Sequence, residues 1–176
     1  MKISRIFFGC VLAISLTVVT NVTFANKIVS MVEFFSFKCG HCASVNKKLS
    51  QYVAANNISF LDVNIDGEAF NAMIMYYIAT DAGVGVQFKD AYFKAVSQGM
   101  DAYSFSTLNY VVRLVQNSTM KKLLKSPKEQ QKIKSKMNYV QELINQYGIR
   151  VTPTFLINQT TILTGEDVIN SLIEAN

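Results

Sequence analysis

The chain has 176 residues, half of them hydrophobic and 16% charged, with eight glycines and two prolines. That balance excludes a collagen-like or Pro/Gly-rich disordered chain and gives length enough for one domain with a buried core and an insertion. The formal charge is +5, but without Lys2 and Arg5, which fall in a segment expected to be removed, 15 basic residues face 12 acidic ones, a net +3.

Residues 1–25 read as a secretory signal. Lys2 and Arg5 make the positive start, residues 6–19 the apolar stretch, and Thr23-Phe24-Ala25 a small-x-small cleavage site. Cleavage after Ala25 would leave Asn26 first, in a compartment where disulfides persist. A retained anchor is the alternative, although Ser15, Thr17, Thr20 and Asn21 interrupt the roughly 20 apolar residues that a span wants. Cys10 precedes most of the apolar stretch, the wrong order for a lipid-modified cysteine.

Residues 27–35 (KIVSMVEFF) form a short apolar, β-branched and aromatic run, the pattern of a buried strand. Ser36-Phe37-Lys38 breaks it, and a helical stripe (Val45, Leu49, Tyr52, Val53) runs from the cysteine pair to Asn56-Asn57. Residues 58–65 (ISFLDVNI) alternate as a second strand. Three helical segments follow, at 68–82, 86–97 and 107–116, punctuated by Gly67, Gly83, Gly85 and Gly99. Met73, Met75, Tyr76, Tyr77, Phe88, Tyr92 and Phe93 are expected in the core of this block, with a substrate groove as the lesser alternative. Ser126-Pro127-Lys128-Glu129 opens a long helix with an N-cap serine, proline at the first position and a glutamate placed to close a capping box. Its apolar stripe runs through Ile133, Met137, Val140, Ile144 and Tyr147 to a stop at Gly148. Seven of the basic residues lie between Lys121 and Lys136, which fits one solvated helix face. A nucleic-acid surface would instead need spread cations with aromatics for stacking. Residues 154–158 and 161–163 read as a hairpin whose turn, Asn158-Gln159-Thr160, lacks glycine. Thr164, with Asp167 three residues on, is expected to cap a last helix over 165–174. The division is therefore 1–25 signal, 26–65 and 139–176 as two β-rich halves, and 66–138 a helical insertion: an α/β chain with an all-helical block inside it.

Beyond Cys10, the only cysteines are Cys39 and Cys42, and the one histidine, His41, lies between them. A structural zinc site needs four ligands and finds too few. Haem attachment needs histidine directly after the second cysteine, where Ala43 stands. A purely structural disulfide closing two residues would remove almost no chain entropy. A redox dithiol needs a strand upstream and a helix start at the pair, and both are present. At a helix N-terminus, unpaired N–H groups and the dipole favour a Cys39 thiolate. Cys42, three residues deeper, can reach it while less exposed, and a cationic His41 would favour that thiolate further. No metal and no bound cofactor is needed for exchange through such a disulfide. Val151-Thr152-Pro153-Thr154 is a second element: the default for Thr152-Pro153 is trans, but its place at a strand start after a turn raises the prospect of cis.

Glu33-Phe34-Phe35-Ser36-Phe37 running into Cys39-Gly40-His41-Cys42, a helical insert, then Tyr147 to Thr154 (YGIRVTPT) together resemble the bacterial DsbA-type thiol-disulfide oxidoreductases over essentially the whole mature chain. The resemblance implies a thioredoxin fold with an inserted helical domain and a cis Pro153 beside the cysteines. It makes Cys39 the attacked sulfur, Cys42 the resolving one and Glu33 a buried acid beneath them. Backbone groups of Val151 and Thr152 would pair with a substrate strand. The implied substrates are unfolded or reduced exported proteins, the implied reoxidant a membrane quinone reductase of the DsbB type, the location the periplasm, and the state a monomer. In that setting Asn-x-Ser/Thr matches such as those at Asn21, Asn117 and Asn158 carry no glycosylation. The chain departs from the family pattern in several ways. Gly40-His41 between the cysteines is similar to protein disulfide isomerase and suggests a less extreme oxidant. Thr152 resembles the isomerase relatives as well as some oxidases. An N-terminal edge strand is missing, and no lysine stands in the strand at 59–63, which argues against a charge pair with Glu33. An isomerase or reductase using the same residues is the alternative function, and a thioredoxin-fold chaperone with incidental cysteines is the alternative from another class.

Overall fold

The computed structural model describes residues 27–67 and 70–174; the expected leader, with Cys10 and the cleavage site, lies outside them, as do Glu68 and Ala69 at the expected start of a helix. Strand β1 (Ser30–Phe35) is followed by helix α1 (Gly40–Ala55) and strand β2 (Ser59–Asn64), which lies parallel to β1 with Glu33 opposite Asp62. Parallel neighbours need a crossover, and α1 supplies it. Strands β3 (Thr154–Ile157) and β4 (Thr161–Thr164) complete an antiparallel run, so that the sheet order is β2-β1-β3-β4. Central β1 is covered on both faces, which explains why its last three residues, Glu33, Phe34 and Phe35, are wholly buried.

On one face of the sheet, Met31, Phe155 and Ile157 pack against Val45, Leu49 and Tyr52 of α1 and against Ile169 and Leu172 of α7 (Asp167–Glu174). The opposite face joins a larger core. Phe34, Val63 and Leu156 meet the helices α2 (Phe70–Asp81), α3 (Gly85–Ser97), α4 (Phe105–Val115), α5 (Ser118–Leu124) and α6 (Pro127–Tyr147). This is a thioredoxin fold carrying an inserted helical block, as expected, and α6 continues unbroken past residue 138. All seven Met and aromatic positions singled out in the block are buried. They are core, and Tyr76 and Tyr92 also reach the walls of pockets beside it.

Two local expectations need correction, the capping box at Ser126 and the cap at Thr164, and two further features go beyond what the sequence shows. The block holds a helix that the periodicity does not reveal, α5, whose N-cap Asn117 accepts a hydrogen bond from Met120 N–H at 2.9 Å. Ser126 caps α6 by accepting from Glu129 N–H at 3.3 Å, but the reciprocal half of the capping box is absent. Ser126 N–H donates instead to Leu123 O, and the Glu129 carboxylate stands beside Lys132 at 3.7 Å. Thr164 does not cap α7, because it is the last residue of β4, paired with Thr154. The hairpin turn manages without glycine by placing both Asn158 (φ 49°) and Gln159 (φ 60°) in the left-handed region. Asn158 is held there because its Oδ1 accepts from Val29 N–H at 2.9 Å and Ser30 N–H at 3.1 Å.

Candidate active site

Two segments from opposite ends of the chain meet at the N-terminus of α1. The approach to it is fixed by aromatics: Phe37 stacks on Tyr92 at 4.1 Å between centroids and its N–H donates to Asp66 Oδ2 at 2.7 Å. The chain then turns, with Cys39 N–H donating to Ser36 O at 3.1 Å. Cys39 is itself the N-cap of α1. Its Sγ accepts from Cys42 N–H at 3.1 Å, the bond that serine or aspartate makes at other helix starts. Cys39 is half-buried, Cys42 fully buried, and both are free thiols here.

This placement separates the two sulfurs chemically. The Cys42 thiol beside it, then the Thr152 side chain, the Cys42 N–H and the charge of His41 together pull the Cys39 thiol down to about 6, against the opposing effect of burial. Cys42 is pushed up from the ordinary thiol range by the adjacent Cys39 sulfur and by burial. Near neutral pH one sulfur is therefore mainly thiolate and the other holds its proton.

The second segment enters after α6, where Gly148 in the left-handed region (φ 62°) ends the helix. Thr152-Pro153 is cis. The Thr152 carbonyl accepts from Cys39 Sγ at 3.4 Å, and the Val151 carbonyl accepts from Thr154 Oγ1 at 2.7 Å. Val151 stands exposed beside the cysteines' loop and Pro153 is buried. Cys39, Cys42, His41, Val151, Thr152 and Pro153, selected from sequence, thus lie in one neighbourhood.

Glu33 lies buried on β1, and the expectation that it lacks a charge partner is wrong. Lys89 of α3 places Nζ 2.7 Å from Glu33 Oε2 and 3.0 and 2.8 Å from the two Asp62 oxygens, and it rests on the Phe35 ring at 3.9 Å from the centroid. Tyr76 donates a further bond to Asp62 at 2.7 Å. The cation comes from the inserted block and not from β2, so scanning the strand could not find it. A signal did exist: Lys89 sits within the apolar stripe of α3, next to Phe88 and four residues before Phe93. Burial pushes Glu33 up to about 8, with Asp62 adding to the rise and Lys89 opposing it. Burial works against the charge on Lys89, but Asp62 and Glu33 outweigh it and hold its ammonium above the ordinary value.

One contact had no local signal at all. Glu166, in the turn between β4 and α7, places Oε2 3.0 Å from His41 Nδ1 and accepts from Ser44 Oγ at 2.6 Å. The adjoining Gly165 N–H donates to Pro153 O at 2.9 Å. Among the described residues no cluster of three or more His, Cys, Asp or Glu side chains is arranged to hold a metal.

No curated protein is significantly similar to the chain in sequence. Solved structures with the same fold include the thiol-disulfide exchange protein alpha-DsbA2 from Wolbachia pipientis, at 18% identity and a TM-score of 0.61 over 85% of this chain and 81% of that one. Another is the oxidoreductase NmDsbA1 from N. meningitidis, at 20% identity and 0.62 over 85% and 82%. A third is Pseudomonas aeruginosa DsbA, at 16% and 0.62 over 84% and 81%. These likenesses establish the fold. A family model described as Thioredoxin matches residues 26–175, which contain every described residue, and with the cysteine pair at the head of α1 and the cis-proline beside it, the chain belongs to the thioredoxin family.

Proposed function

We propose that the protein is a thiol-disulfide oxidoreductase that introduces disulfides into exported proteins by exchange through Cys39 and Cys42. The observation that carries this reading is the asymmetry of the pair: an accessible N-cap sulfur drawn down to about 6 beside a buried one pushed up. In the oxidised form, a substrate thiolate attacks Cys39 Sγ; the Cys39–Cys42 bond breaks, a mixed disulfide forms, and Cys42 leaves with the electron pair and takes up a proton. By the resemblance, Glu33, pushed up to about 8, would be the buried acid that exchanges that proton. The substrate's second thiolate then attacks its own sulfur in the mixed disulfide. Cys39 leaves as the stabilised thiolate, the substrate carries the new disulfide, and two electrons stay on the protein. Val151 and Thr152 would present backbone groups to the substrate strand beside Cys39, and the Thr152 carbonyl is freed when Cys39 no longer donates to it.

Turnover needs an oxidant for the reduced pair, and a membrane quinone reductase of the DsbB type fits, with the protein a periplasmic monomer cleaved after Ala25. The solved structures named above include a thiol-disulfide exchange protein and an oxidoreductase, which supports the same chemistry. Gly40-His41 and Thr152 before the proline favour, as a second reading, an isomerase working through the same two sulfurs. Equilibration with glutathione buffers decides the direction. A reduction potential between about −120 and −180 mV fits net oxidation or isomerisation, whereas about −270 mV would make the protein a reductase. Absence of any exchange with glutathione, or substrate binding and phenotype that survive Cys39→Ser, would leave only a binding module.

A further inference from the structure

We propose that Glu166 is a positioning residue of this site, holding His41 as an imidazolium beside Cys39 and tying the cysteine turn to the cis-proline loop. The inference rests on the exchange chemistry proposed above. The geometry is that of a bracket made by two consecutive residues. Gly165 N–H takes the carbonyl of Pro153 at 2.9 Å, while Glu166 Oε2 takes both His41 Nδ1 at 3.0 Å and Ser44 Oγ at 2.6 Å. Ser44 Oγ also lies 2.8 Å from His41 O, so its single proton is shared between that carbonyl and Glu166 Oε2 in the first turn of α1. Gly165 adopts φ 97°, a conformation that other residues rarely take, so the backbone of this turn is fitted to its place. The β4–α7 turn, more than 120 residues from the cysteines, is thereby bonded to both halves of the site.

What the bracket supplies is a protonation state. An unpartnered imidazole titrates near 6.5 and is mostly neutral at pH 7. The Glu166 hydrogen bond and charge raise His41 above that, with Cys39 on the same helix and Asp167 of α7 adding to the rise. Glu166 in turn is held below the usual carboxylate range by Ser44 and His41, with Lys48 of α1 also facing it. The charge so kept on His41 is one of the influences that draw down Cys39. Through it, Glu166 makes Cys39 a better leaving group and the disulfide a stronger oxidant.

The test uses the reduced full chain, in which His41 is the only histidine and gives one ring signal by NMR. In Glu166→Gln the His41 midpoint falls toward the ordinary imidazole value. Iodoacetamide labelling of Cys39 at pH 6 slows roughly twofold, as expected for loss of one nearby surface charge. Glu166→Asp restores both. The proposal is overturned if the His41 midpoint stays put in Glu166→Gln, or if it moves while the Cys39 titration does not. Neither readout requires turnover, so an inactive wild-type protein would sink the exchange reading without deciding this one.

Discussion

Lys89 brings one positive charge to two carboxyls, Glu33 and Asp62, in a place that water barely reaches. Removing one member of such a cluster leaves an uncompensated buried group and costs about 3–5 kcal/mol. Lys89→Met should lose about that much in urea unfolding at pH 8.5. At pH 5 the loss should be smaller, because Glu33, with its folded value near 8, then holds a proton and needs no cation. An equal loss at both values would mean that Glu33 is ionised throughout. Adding Glu33→Gln to Lys89→Met should recover part of the stability, since an amide does not repel Asp62. The same residues show what the sequence could and could not disclose. Cys39, His41, Cys42 and Pro153 are readable because their chemistry is compressed into four-residue strings. Lys89 and Glu166 act across 56 and 125 positions, and nothing local says where their side chains end.

Helices and strands were legible where one signal dominated. The stripe at Val45, Leu49 and Tyr52 fixes α1, and Ser126-Pro127 fixes the start of α6, because periodicity and capping agree there. Helix α5 escaped because seven residues make under two turns, and its cap Asn117 resembles any other loop asparagine. The turn at Asn158-Gln159 was opaque because its left-handed backbone depends on bonds from Asn158 to Val29 and Ser30, about 130 positions away. Two substitutions test elements directly. Ser126→Ala removes the bond to Glu129 N–H and should cost about 0.5–2 kcal/mol in urea unfolding, with exchange activity intact. Gly85→Ala should cost about 1–3 kcal/mol, since a Cβ there would stand 2.6 Å from Thr80 Oγ1 and 2.9 Å from Thr80 Cα. No loss in the second would mean that α2 and α3 can part at no cost.

For the whole molecule, two of the perturbed groups, Glu33 and Cys39, oppose each other. Glu33 is raised in the folded state, so its contribution is present below the unfolded carboxyl value and is lost as pH rises toward about 8. Cys39 is lowered, so its contribution is lost as pH falls through about 6 and grows toward the ordinary thiol range near 8.5. Only the reduced form has the Cys39 thiolate, whereas Glu33 is common to both forms. The stability of the reduced protein minus that of the oxidised one should therefore increase from pH 6 to 8.5, and a ring closing only two residues adds little of its own. A difference that is flat over this range would remove the basis for an oxidising disulfide.

The most direct measurement is the pH dependence of alkylation of the reduced chain, followed by mass mapping of the modified cysteine. One label should appear, on Cys39, with a midpoint near 6, and Cys42 should stay unmodified until the protein unfolds. A midpoint near the ordinary 8.5, or equal labelling of both cysteines, would contradict the division of labour between the two sulfurs on which the proposed chemistry depends.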